Sequence, residues 1–293
     1  MTSVVLVGLG RMGVPMGGHV RDHLAAHGGE LVGYDLSPTA RAAASSAGIA
    51  VVDDLDAAAA GADVLILMLP SSRHVESVLR GSAGGALRAG SVVVDMGSSE
   101  PLSTRALAEE LSARGIAMVD APVSGGVVGA EAASLTVMAG GDDAVLDRVE
   151  PLLAATGNVT RTGAVGSGHA LKALNNLLSA TTLLISSEAL HVGRRFGLTD
   201  EVMLAVINSS TGRSWSTEFK WPRFVVPESY DSGFAMALLV KDMRIATSLA
   251  EELGLPAELG QASLARWADA LAALGDGADH TEIARYAAGS EPA

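Results

Sequence analysis

Three lysines, Lys172, Lys220 and Lys241, stand against seventeen arginines in this chain of 293 residues. Arginine stays charged at any ordinary pH, whereas a lysine gives up its proton when its surroundings depress its pKa. Lys172 lies in GSGHALKALNN (residues 166–176) and Lys241 in LLVKDMRIA (residues 238–246). A lysine on a helix behind a glycine-rich turn is a candidate for proton transfer. Composition alone leaves chance survival of three surface lysines equally open.

A second feature lies at the start of the chain. The apolar run 4–7 leads into Gly8-Leu9-Gly10-Arg11-Met12-Gly13, which matches GxGxxG. In such a turn the first glycine permits the tight bend, the second lets backbone approach a pyrophosphate, and the third lets the following helix close on the strand. Unpaired N–H groups at the helix start then face the phosphates. Asp35 ends the next apolar run, 22 residues after Gly13. That context of strand, turn, helix and acidic residue predicts a dinucleotide site. The Asp35 carboxylate accepts hydrogen bonds from a ribose hydroxyl and repels a 2′-phosphate. With no arginine between it and Arg41, the expected cofactor is NAD rather than NADP. His19, His23 and His27 share one helix face, but there is no cysteine and no HExxH pattern. They are expected to lie on a solvated face, and no metal site is expected.

The elements that must hold these groups follow from periodicity. Apolar runs at 4–7, 31–34, 64–68, 92–95, 118–120 and 135–139 alternate with Ala-rich helical stretches. This βαβ rhythm predicts an α/β fold of Rossmann type, a doubly wound, mostly parallel sheet. Beyond Gly163 the pattern changes, and helices are expected at 168–195, 199–209, 233–253, 256–274 and 280–287. The expected organisation is a dinucleotide-binding domain over 1–164 and an all-helical substrate and dimerisation domain over 165–293, with a loose tail from Ala288 on.

Composition sets the outer limits. Apolar residues make up 48% of the chain, enough for a large core, and 293 residues exceed the usual size of a single one. No run is long enough for a membrane span, and the N-terminus reads as strand and turn, not as a signal peptide. A net charge of −13 argues against nucleic-acid and anionic-membrane partners. The absence of cysteine removes disulfides and thiolate chemistry, and fits a cytoplasmic location.

Four blocks in order, LVGLGRMGVPM (6–16), DAPVSGGVVGAEAASLTVMAGG (120–141), GSGHALKALNN (166–176) and KDMRIATSLAEELGLP (241–256), resemble the β-hydroxyacid dehydrogenases. That family includes 3-hydroxyisobutyrate dehydrogenase and tartronate semialdehyde reductase, and is related to 6-phosphogluconate dehydrogenase. The resemblance implies hydride transfer from a small hydroxy acid to a nicotinamide, with Lys172 as acid and base and Asn176, one turn on, bonded to the reacting hydroxyl. Lys172 is expected in the first turn of its helix, where the dipole disfavours a second positive charge. Ser124, Gly125 and Gly126 are implied as a donor cradle for the substrate carboxylate. Leu69, Pro70, Ser98 and Lys241 match cofactor-contacting positions. The sequence departs from the family at Ala133, where glycine is usual, and at Gly18 and His19, where Ala-x-Asn is usual.

The expected reaction is NAD-dependent oxidation of a small 3-hydroxy acid resembling 3-hydroxyisobutyrate. Alternatives are the same chemistry on L-serine or on a sulfonate- or phosphate-bearing hydroxy compound, and a non-catalytic dinucleotide-binding module. Residues 210–224, with Arg213, Trp215 and Lys220, are read either as a pocket for the substrate tail or as connector packing. The Tyr-x-x-x-Lys pattern of short-chain dehydrogenases is absent, since Pro38, Phe234 and Ser290 follow the three tyrosines at that spacing. Apolar faces at 170–185 and 234–240 predict a homodimer or homotetramer.

Overall fold

The computed structural model describes residues 2–289. Most of the expected tail therefore lies outside the described residues. The chain divides into two compact units, one ending at Lys172 and the other beginning at Ala173.

The first unit is an α/β sheet domain. Its strands are β1 (Ser3–Val7), β2 (Glu30–Tyr34), β3 (Ala50–Val51), β4 (Val64–Leu67), β5 (Val92–Asp95), β6 (Ala117–Asp120), β7 (Val123–Ser124), β8 (Leu135–Gly140) and β9 (Gly157–Gly163). Between them run α1 (Gly13–Ala26), α2 (Pro38–Ser46), α3 (Leu55–Gly61), α4 (Ser72–Arg80), α5 (Ser82–Ala86), α6 (Pro101–Ser112), α7 (Gly126–Glu131) and α8 (Asp143–Ala154). Strands β3-β2-β1-β4-β5-β6 run parallel in that spatial order, the doubly wound arrangement expected. The order continues through β8 and β7, with β9 on the other side of β8. Strand β8 is antiparallel to β6 and β7 and parallel to β9.

Continuous apolar strands follow from burial on both faces. Val4 and Leu6 enter one core with Val64, Ile66, Val92 and Val94. Their neighbours Val5, Val7, Leu65, Leu67 and Val93 enter the other. Strands β3, β7 and β9 escaped the sequence reading. The first two have two residues each, and β9 is mostly exposed with polar residues at alternate positions.

The second unit is all-helical. It is built from α9 (Ser167–Phe196), which starts in the first unit, with α10 (Asp200–Asn208), α11 (Met236–Glu252), α12 (Glu258–Leu274) and α13 (Ile283–Ala287). A 3₁₀ turn (His280–Glu282) leads into α13, so the expected helix at 280–287 is two short pieces. Trp221 and Trp267 are fully buried in its core with Leu183, Met236, Leu239 and Met243. Of the two apolar faces read as association surfaces, residues 234–240 belong largely to this core, because Met236, Leu239 and Val240 are buried within the unit. A ten-residue π-helix (Ser216–Val225) was not anticipated. It contains Pro222, which has no N–H to donate, and such wide turns re-aim side chains.

Candidate active site

The carboxyl ends of β1, β4 and β5 converge in the sheet unit. Gly8, at φ +100°, lies so close to the Met68 carbonyl that a Cβ there would overlap it. Gly13 likewise has no room for a Cβ against the Gly8 carbonyl, whereas Gly10 has nothing within 4 Å. Two glycines therefore make the turn, and the third keeps a face open where a phosphate fits. Met12, at the start of α1, provides no side-chain cap, which leaves the first helical N–H groups to a ligand. Leu9 is buried within the turn, and Arg11 is exposed beside it. Gly97, just before Ser98, packs on the Leu69 carbonyl, bringing the loops of Leu69, Pro70 and Ser98 to the same sheet edge. These features fit a dinucleotide.

Asp35 is held by that turn. Its Oδ2 accepts from Leu9 N–H at 2.8 Å and its Oδ1 from Ser37 N–H at 2.8 Å. Arg41, six residues on in α2, donates from Nη1 to the Asp35 carbonyl at 2.6 Å. A guanidinium thus stands on the backbone of the predicted ribose-binding residue, its Nε 3.6 Å from Asp53 Oδ1.

Gly125 and Gly126, at φ +133° and +64°, follow Ser124 on β7 and require glycine for that conformation. Ala133 has φ +50° in the turn before β8, so alanine occupies a left-handed position where the family usually has glycine.

Sequence reasoning missed the buried cluster that ties β5, β6 and the start of α9 together. Asp120 is fully buried and accepts from Gly166 N–H at 2.6 Å and His169 N–H at 2.8 Å. Burial pushes its carboxyl above the usual carboxylate range, and the neighbouring His169 and these N–H donors oppose that rise. Asp95 accepts from Ser99 Oγ at 2.6 Å and Gly97 N–H at 2.9 Å. His169 lies between them, its Nε2 3.7 Å from Asp95 and its Nδ1 2.8 Å from Thr104 Oγ1. The available signal was an Asp at the end of each of two apolar strands.

Lys172 is buried and is the sixth residue of α9, not a first-turn residue. The helix dipole acts correspondingly weakly on it, because the effect fades beyond the first turn, and the Asp120 carboxylate already sits on an N–H group there. Asn176 follows four residues later on the same helix face. In the helical unit its Nδ2 donates to Asp242 Oδ2 at 2.6 Å, and Lys241 Nζ lies 3.2 Å from Asp242 Oδ1. Asp242 and Asn176 are both buried. Asn175, the neighbour not assigned to chemistry, is exposed and donates to Asn176 Oδ1 at 3.4 Å.

The segment 210–224 divides. Trp215 is 62% exposed and stacks on Phe219, and Arg213 pairs with Glu218 at 2.8 Å. Lys220 and Trp221 turn inward and are buried. His19 Nε2 lies 3.0 Å from the Glu131 carbonyl and His27 Nδ1 lies 2.8 Å from the His23 carbonyl. Among the described residues no group of His, Asp or Glu is arranged to hold a metal.

Comparison with known proteins gives the family. Residues 3–166 match the model of the NAD binding domain of 6-phosphogluconate dehydrogenase. Residues 166–287 match that of the NAD-binding domain of NADP-dependent 3-hydroxyisobutyrate dehydrogenase. The chain is 37% identical to 2-(hydroxymethyl)glutarate dehydrogenase of Eubacterium barkeri, over 87% of this chain and 84% of that protein. It is 34% identical to the NAD-dependent L-serine dehydrogenase of Pseudomonas aeruginosa, over 90% of each. Its fold superposes on Mycobacterium tuberculosis 3-hydroxyisobutyrate dehydrogenase, solved with L-serine, with a TM-score of 0.91 and 30% identity, over 98% of this chain and 99% of that one. From the glycine turn to the Lys241–Asp242 pair, and across nearly its whole length, this chain belongs to the β-hydroxyacid dehydrogenase family, NAD(P)-dependent oxidoreductases acting on the CH–OH group of hydroxy acids.

Proposed function

We propose that the protein oxidises a small 3-hydroxy acid with NAD, Lys172 acting as acid and base. The observation that carries this reading is the polar line of Asn176, Asp242 and Lys241, its first two members buried, with Asn176 one helical turn on from Lys172. When bound, the nicotinamide accepts hydride from the hydroxyl-bearing carbon. The Lys172 amine takes the hydroxyl proton as the carbonyl forms, and returns it in the reverse direction. Asn176 spends one Nδ2 hydrogen on Asp242 and has a second for the reacting oxygen. Asp242 fixes that amide and is itself balanced by Lys241. Ser124 and the N–H groups of Gly125 and Gly126 receive the carboxylate.

In the cofactor site, Gly8 through Gly13 hold the pyrophosphate, and Leu69, Pro70 and Ser98 contact the rest of the dinucleotide; Lys241 is assigned to the cofactor by its place in the block 241–256. Asp35 favours NAD, since its carboxylate repels a 2′-phosphate. The absence of cysteine fits the cytoplasm. A stripe on α9, with Leu171, Leu174, Leu178, Ile185 and Val192 each at least 43% exposed, fits burial in a homodimer or homotetramer. Sedimentation as a monomer would remove that assignment.

The test is NADH formation at 340 nm with 3-hydroxyisobutyrate, 3-hydroxypropionate, glycerate, L-serine, 2-(hydroxymethyl)glutarate and a hydroxy-sulfonate, each with NAD and with NADP. Lys172→Ala should lower turnover at least ~10²-fold while NADH still binds. Undiminished turnover in that variant would remove Lys172 from the chemistry. L-Serine and 2-(hydroxymethyl)glutarate are the second reading, supported by the relatives named for them.

A further inference from the structure

The helical unit buries a cation that the reaction above does not use. Lys220 is 8% exposed, and among the described residues its Nζ makes one hydrogen bond, to Ser179 Oγ at 2.9 Å, and no ion pair. An ammonium has three N–H donors, so two remain. Burial pushes the Lys220 amine down to about 8, against a weak pull upward from Asp279. Asp279 is already saturated, accepting from Ser232 Oγ, Gly233 N–H, Thr281 N–H and Thr281 Oγ1. His280, also buried, is close enough for the Lys220 charge to disfavour its protonation, and its Nε2 has no hydrogen-bond partner. A buried cation without a counter-ion is costly, and a methionine of similar length would avoid that cost.

The position of Ser179 gives this cost a purpose. It lies three residues beyond Asn176 and seven beyond Lys172, so all three share one face of α9. Seven residues of helix separate Lys172 from Ser179 by about 10 Å. We propose that Lys220, held on Ser179, receives a second anionic group at the far end of the hydroxy-acid substrate, a carboxylate, sulfonate or phosphate. This rests on the reading of Lys172 as the reacting end. The unused donors point to an anion rather than an apolar tail, and the π-helix carries Lys220 inward while Arg213 stays on the surface. Lys220 is thus a specificity residue, silent toward a substrate with one carboxylate.

The experiment measures binding to the NADH complex by calorimetry, and so does not depend on turnover. Glutarate, 3-sulfopropionate and 3-phosphonopropionate each carry a carboxylate and a distal anion, and butyrate is the control. At least one should bind wild type about tenfold or more tightly than butyrate, as a charge-assisted contact requires. The tightest of the three identifies the tail chemistry. Lys220→Met should abolish that margin and leave butyrate within about threefold. Ser179→Ala, which leaves Lys220 in place, should shrink the margin. In the substrate panel, Lys220→Met should raise KM for the dianionic member with kcat nearly unchanged, and leave 3-hydroxyisobutyrate unaffected. No margin in wild type, or a margin that survives Lys220→Met, overturns the proposal. A Lys220-dependent margin without oxidation of any panel member would sustain the anion subsite and overturn the reaction reading instead.

Discussion

The sheet unit and the helical unit treat buried charge in opposite ways. In the sheet unit every carboxylate of the candidate site is met by backbone: Asp35 by Leu9 and Ser37, Asp95 by Gly97, and Asp120 by Gly166 and His169. In the helical unit Lys220 has one hydroxyl, and Asp242 depends on the side chains of Asn176 and Lys241. The cause is backbone accounting. Strand ends and helix starts leave N–H groups free, whereas the middle of a helix spends them all internally. Charges placed at strand ends are therefore solvated by the fold itself. Charges placed on helix faces must find a side chain or a ligand.

The comparison is sharpest if one buried charge is removed from each side. Asp120→Ala strands two buried N–H groups and should cost roughly 2–4 kcal/mol, seen as a lower midpoint in urea. Lys220→Met should move the other way, stabilising the free protein by on the order of 2 kcal/mol at pH 7. Below pH about 8 folded and unfolded chains both carry the ammonium, and the burial cost is present in full. Between about 8 and the ordinary value of 10.5 only the unfolded chain keeps the proton, so wild-type stability should gain on that of Lys220→Met as pH rises through that window. Two changes of the same sign would break the comparison.

Smaller effects probe the sheet unit's glycines. Gly10→Ala meets no neighbour, so stability should shift by less than about 0.5 kcal/mol while NADH affinity falls about tenfold. Ala133→Gly releases a left-handed alanine and should stabilise by at most about 1 kcal/mol, offset in part by the freer unfolded chain.

What the sequence made legible divides along the same line. The strands buried on both faces announced themselves as unbroken apolar runs, and GxGxxG with Asp35 depends on local spacing. Strand β9 did not, because an exposed polar edge carries no such signal. Nor did the π-helix, where STEFKWPRFV carries Pro222 in its interior and shows no steady period. The roles of Asp120 and Lys220 were hidden for a further reason: their partners lie 46 and 41 residues away, and only folding brings them together.

The Arg41 contact has a consequence for the exchange of one cofactor for another. Its guanidinium already stands on the Asp35 carbonyl, held by backbone that any residue at position 35 would supply. On the reading proposed above, the Asp35 carboxylate is what turns a 2′-phosphate away. Replacing Asp35 with a small neutral residue would remove that charge and leave the guanidinium in place. The choice between the two cofactors would then turn on one substitution.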